Sequence, residues 1–224
     1  MDMTPTISIE ESRAPWLWWA ALAIGIVYIV PVAIDANSAA IILWKGAGVG
    51  LLALWAAVNA HDRFGQMFAV ALGFCAMGDI LIETSGLMVG AAAFAAGHLV
   101  VIALYVQNPR TALTTSQRAL SALVTPLALA ITWGLLQGNS LLAGGLIYTL
   151  VIALMVAAAW ASRFPRYRTG IGAMLFLMSD LVIFASVGGA MDGDIARLII
   201  WPLYFAGQAL IAWGVVTTLA ARRQ

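Results

Sequence analysis

The chain has 224 residues, of which 63% are hydrophobic and 9% charged, with a net charge of +1. Soluble domains carry about 25% charged residues, so this composition excludes a soluble or disordered chain and marks an integral membrane protein. The near-zero charge offers no field for nucleic acid. One cysteine, Cys75, and two histidines, His61 and His98, argue against an intrachain disulfide or a zinc centre, and no metal or cofactor is expected.

About 20 apolar residues cross the hydrocarbon of a bilayer, and eight such runs lie along the chain, at 15–34, 39–60, 65–83, 88–107, 118–136, 141–161, 169–188 and 197–220. Continuous runs such as Ala91–Val106 are helical in character, since barrel strands alternate over about ten residues. The expected fold is all-α, a polytopic membrane bundle of eight transmembrane helices forming one integral membrane domain over 1–224.

The leader, 1–14, carries Glu10, Glu11 and Arg13 and lacks the basic start and cleavage site of a secretory signal, so the first span is expected to stay as a helix behind a cytoplasmic leader. Trp16, Trp18 and Trp19 at its start resemble an interfacial aromatic belt. The second span holds Lys45. The third holds Asp79, with Glu83 near its outer end, where plain solvation or snorkelling is the bland reading. His98 and Tyr105 lie in the fourth, Asp180 in the seventh, and Tyr204 and Gln208 one turn apart in the eighth. Gly207 beside them suits close helix packing.

Arginine placement sets the expected orientation. Arg13, Arg63, Arg110, Arg118, Arg163, Arg166, Arg168, Arg222 and Arg223 fall on one set of alternate segments, and only Arg197 falls on the other, beside Asp35, Asp192 and Asp194. Both termini are therefore expected in the cytoplasm, in a multi-pass protein of the cell membrane. A weak echo links the halves: Gly78-Asp79 followed by Gly97-His98, then Ser179-Asp180 followed by Gly207-Gln208. It suggests a four-plus-four parallel repeat.

A charge at mid-membrane costs at least about 2.5 kcal/mol on insertion scales, which makes each such group a candidate for function. At 1.5 Å rise per residue, Asp79 and Lys45 lie about 21 Å from the cytoplasmic side, Tyr204 about 18 Å, Asp180 about 17 Å and His98 about 15 Å. Five helices thus contribute to one layer, and these groups are expected to line one cavity. Two carboxyls in a cavity of low dielectric, one near a lysine, favour opposite protonation states, which supplies an acid and a base without a metal. Each aspartate also has a structural reading, as a partner of Lys45 or of a neighbouring helix, and His98 reads equally as a core imidazole. No Gly-x-Ser-x-Gly elbow or His-Glu-x-x-His motif is present.

Lys45, then Gly78-Asp79, then Gly90, Phe94 and His98, and in the second half Gly172 to Phe176, Ser179-Asp180, Tyr204 and Gln208, together resemble the YhhN-like lysoplasmalogenase family. One departure is Val101, where an aromatic residue is expected. The resemblance implies an eight-helix hydrolase that opens the vinyl ether bond of a lysoplasmalogen to a fatty aldehyde and glycerophosphoethanolamine or glycerophosphocholine. It makes Asp79 and Asp180 catalytic, and Lys45, Glu83, His98, Tyr204 and Gln208 are expected by their chemistry as substrate contacts. The partners are then a lysophospholipid and the surrounding membrane lipid. The competing readings are a proton-coupled transporter or channel, since intramembrane Asp, His and Lys also describe a proton relay, and a non-catalytic lipid-binding protein.

Overall fold

The computed structural model describes residues 5–222; Arg223 and leader residues 1–4 lie outside the described residues. Among the described residues, eight helices are long and apolar enough to cross a membrane: α1 (Pro15–Ala33), α2 (Ala39–Asn59), α3 (Arg63–Ser85), α4 (Leu87–Val106), α5 (Thr115–Leu136), α6 (Leu142–Ala161), α7 (Arg166–Val187) and α8 (Gly193–Ala221). The chain is a polytopic helical bundle.

Local chemistry explains where the helices depart from the apolar runs. α8 starts four residues before its apolar stretch because Asp192 caps it, its carboxylate accepting from the amides of Asp194 and Ile195. A capping box between Thr114 and Gln117 starts α5 early in the same way. α1 breaks at Tyr28, since Pro31 has no amide to offer the carbonyl one turn back. α7 opens with a π-helical turn over Arg166–Gly170.

α2, α3 and α4 pack side by side, α1 lies on α2, α4 borders α6, and α8 runs against α7 while touching α1, α2 and α3. α8 is the most deeply buried span and α5 the least. Packing rather than water expulsion holds membrane helices together, and glycines let two pairs approach closely. A Cβ on Gly90 would lie 3.0 Å from the Gly78 carbonyl, and one on Gly172 would lie 2.6 Å from the Gly207 carbonyl. The sequence echo therefore falls on two tightly packed pairs, α3–α4 and α7–α8.

The arginine-bearing ends of the helices meet at one end of the bundle and satisfy one another. Arg110 donates to the carbonyls of Ser162 and Phe164 at 3.2 and 2.9 Å. Arg222 donates to Asn108 at 2.6 Å, and the His61 ring lies with Nδ1 2.8 Å from the Asn59 carbonyl and Nε2 2.9 Å from that of Leu219. The described part of the leader is pinned here too: Ile7 donates to the Thr217 carbonyl, and the Trp55 indole donates to Ser12. Trp55, Phe68, Leu72, Leu104, Tyr105 and Phe164 are fully buried in this half.

The aromatic belt expected at the start of α1 needs a correction. Trp16 and Trp19 are exposed, but Trp18 is buried, its ring 5.0 Å from Trp55 and 6.3 Å from Trp213. Successive helical residues point in different directions, so three nearby tryptophans cannot all face lipid.

Candidate active site

The half of the bundle away from the arginines is hollow. A cavity of about 760 Å3 lies among α1, α2, α3, α4, α6, α7 and α8. It reaches the outside at Asp35, Ala36 and Asn37 between α1 and α2, and at Arg197 near the start of α8. It also opens sideways between α4 and α6, because Leu99 and Ile147 line it and are 56% and 69% exposed on the flank of the bundle. The walls are otherwise mostly apolar.

Asp79 on α3 and Asp180 on α7 both line this cavity and both are buried. Each is gripped by a tyrosine from another helix. Tyr204 on α8 donates to Asp79 Oδ2 at 2.7 Å, and Tyr148 on α6 donates to Asp180 Oδ2 at 2.9 Å. Burying a carboxyl in an apolar setting is costly unless hydrogen bonds compensate, so these contacts fix the rotamers of the two acids. The two tyrosines come from helices that do not correspond under a four-plus-four repeat, so the echo does not extend to this arrangement.

Lys45 and Glu83 line the cavity one turn further out, joined at 2.5 Å between Nζ and Oε1. Glu83 is exposed near the outer end of α3, as the sequence suggests, and is also the ion-pair partner of Lys45. Lys45, which the structural reading paired with one aspartate, has Glu83 as its salt-bridge partner and lies within electrostatic reach of Asp79.

His98 and Gln208 do not line the cavity. The expectation that His98 shares the cavity wall is corrected. Its imidazole sits one layer back, 4.8 Å from the Phe176 ring centroid and 6.3 Å from that of Tyr148, with Nε2 buried and unpartnered by protein. Phe176, Phe94 and Tyr148 stand between it and the open space. Gln208 is buried beside Tyr204 and Cys75, and its Nε2 is likewise unpartnered. Tyr105 lies in the filled half. Val101 is a core residue away from the cavity, so the departure at that position does not reshape the wall.

Tyr148 escaped the sequence reading. A lone tyrosine in an apolar span looks like any amphipathic aromatic, and the available signal was its depth, six residues inside α6 and clear of the interface. Arg197 and Asp35 also belong to the mouth, although the sequence marked them only as loop charges.

Among the described residues, no three His, Cys, Asp or Glu side chains gather as a metal-ligand set. The chemistry on offer is that of two oriented carboxyls in a largely apolar chamber reached from the lipid side.

No curated protein and no solved structure matches the chain. The YhhN family model matches residues 40–215, a range that includes Lys45, Asp79, Asp180, Tyr148 and Tyr204, and well over half the sequence. The chain belongs to the YhhN family.

Proposed function

We propose that this protein is a membrane lysoplasmalogenase that hydrolyses the vinyl ether bond of a lysoplasmalogen, with Asp79 and Asp180 as its acid-base pair. The observation that carries the reading is the placement of two buried, tyrosine-held carboxyls in one cavity open to the lipid. The alkenyl tail would lie in the groove between α4 and α6, against Leu99 and Ile147. The polar end would point toward Lys45 and the mouth.

In this reaction a protonated carboxyl transfers its proton to the outer alkene carbon. The resulting oxocarbenium ion is stabilised by the other, ionised carboxylate, which takes a proton from water as the water adds to the carbon bearing oxygen. The hemiacetal then collapses to a fatty aldehyde and the glycerol hydroxyl. Each tyrosine engages one carboxyl oxygen, Oδ2, leaving Oδ1 for the substrate and water. Tyr148 and Tyr204 are positioning residues in this scheme.

A transporter needs access from both ends. Here the arginine-rich half is packed with fully buried side chains, which favours a chamber over a path. Following the arginine bias, we place both termini in the cytoplasm, so that the mouth faces away from it. The test is purified protein in nanodiscs with a 1-alkenyl lysophospholipid. Aldehyde release supports the hydrolase, and binding without release would return the protein to a lipid-binding role.

A further inference from the structure

Gln208 lies one turn inward of Tyr204 on α8, and Cys75 lies one turn inward of Asp79 on α3. An odd and an even span run in opposite directions, so these residues face each other as two rungs about 6 Å apart. The outer rung is the hydrogen bond from Tyr204 to Asp79. On the inner rung the Gln208 carboxamide lies beside Cys75, and it also reaches the Tyr204 hydroxyl.

Gln208 is 2% exposed, and its Nε2 has no hydrogen-bond partner. A buried amide donor left unpaired costs stability that a methionine of similar shape would not. In a membrane span, a polar group held at such a cost marks function. Gln208 does not line the cavity, so that function has to reach the chamber through a neighbour.

Tyr204 is that neighbour. Its ring is boxed by Phe94, Trp201 and Phe176, with centroids 5.7, 5.6 and 5.2 Å away, which fixes the phenol against Asp79. Its one proton goes to Asp79 Oδ2 at 2.7 Å, and its oxygen keeps room for a donor. The last torsion of a glutamine side chain is soft, so Nε2 can turn onto that oxygen. A donor there polarises the phenol and strengthens its hydrogen bond to a carboxylate. Tyr148, which holds Asp180, has the His98 ring near it instead of a carboxamide, so the effect is confined to Asp79.

Resting on the hydrolase reading of the cavity, we infer that Gln208 is a positioning residue that acts on Asp79 through Tyr204, by donating from Nε2 to the phenol oxygen. It touches neither the substrate nor the acid.

The test is a double-mutant cycle on the full-length protein, read by kinetics and by infrared spectroscopy with isotope-labelled aspartate carboxyls. Gln208→Met should lower kcat by about twofold to tenfold with KM changed by less than about twofold, and should leave the melting temperature equal or higher. In a Tyr204→Phe background the same substitution should change kcat by less than about 1.5-fold, because its route to Asp79 is gone, whereas in a Tyr148→Phe background the full loss should persist. Without substrate, the infrared band that disappears in Asp79→Asn should shift in Gln208→Met, and should not shift further when Gln208→Met is added to Tyr204→Phe. A loss confined to KM would make Gln208 a substrate contact and overturn the inference. Equal losses in both tyrosine backgrounds, or an unmoved Asp79 band, would overturn it too. Failure of Gln208→Met and Gln208→Leu alike to fold would make the carboxamide a structural group, with the same result. The infrared coupling needs no turnover, so its presence in a protein that releases no aldehyde would sink the hydrolase reading and leave the link from Gln208 to Asp79 standing.

Discussion

The two halves of the bundle weight their polar side-chain contacts differently. At the arginine-rich end, Arg110, Asn59, Asn108, Ser162 and His61 give their hydrogen bonds chiefly to backbone carbonyls, closing helix ends and crossing between loops. In the hollow half the polar side chains pair with one another, as Tyr204 with Asp79, Tyr148 with Asp180, Lys45 with Glu83 and Arg197 with Asp35. Backbone-directed polarity finishes a fold, because it removes unsatisfied carbonyls that a membrane cannot solvate. Side-chain pairs around an open chamber leave chemistry available.

The difference can be broken first at the acids. Asp79→Asn and Asp180→Asn should each lose turnover by about a hundredfold to ten-thousandfold, because an amide can neither deliver a carboxyl proton nor carry the negative charge. Thermal melts of both variants should match the parent, and near-normal aldehyde release from either folded variant would return that aspartate to a structural role. In the filled half the outcome should invert. Phe68→Ala should cost about 3 kcal/mol of stability through the void it leaves, read as a lower melting temperature, while turnover per folded molecule is retained.

These two responses also separate what the sequence disclosed from what it hid. Position along the membrane normal is nearly linear in residue number, so the common depth of Asp79, Asp180 and Tyr204 was readable from helix rise alone. Rotation about each helix axis and the order of neighbouring helices are not linear in anything the sequence displays. His98 consequently sits behind Phe176, and Lys45 forms its salt bridge with Glu83 while staying within electrostatic reach of Asp79. The eight spans were legible because twenty apolar residues have one economical fate in a bilayer. The extra turn at the start of α8 was not, because it depends on the Asp192 cap and carries charge. Tyr148 was hidden for the reason that makes it useful, a mostly apolar side chain with one polar atom.

The tyrosines sharpen the comparison at an intermediate level. Tyr148→Phe and Tyr204→Phe keep the ring and remove one hydrogen bond to a carboxyl, so each should lower kcat by about tenfold with little change in KM. A change confined to KM would mean that the hydroxyls bind substrate instead of orienting the acids. The smallest effect is expected at the opposite end. Arg222→Gln removes a half-exposed contact with Asn108 and a long one with Asp62, and should cost about 0.5 kcal/mol in melting experiments with turnover unchanged.

Carbon protonation leaves a deuterium label on the aldehyde, and it tests the central claim most directly. Purified protein given a 1-alkenyl lysophospholipid in deuterated water should release a fatty aldehyde with one deuterium on the carbon next to the carbonyl, in step with free glycerophospho head group, at times too short for unassisted exchange. Asp79→Asn and Asp180→Asn should release neither. Absence of aldehyde from the parent protein, or aldehyde without deuterium at that carbon, would contradict the two-aspartate hydrolase.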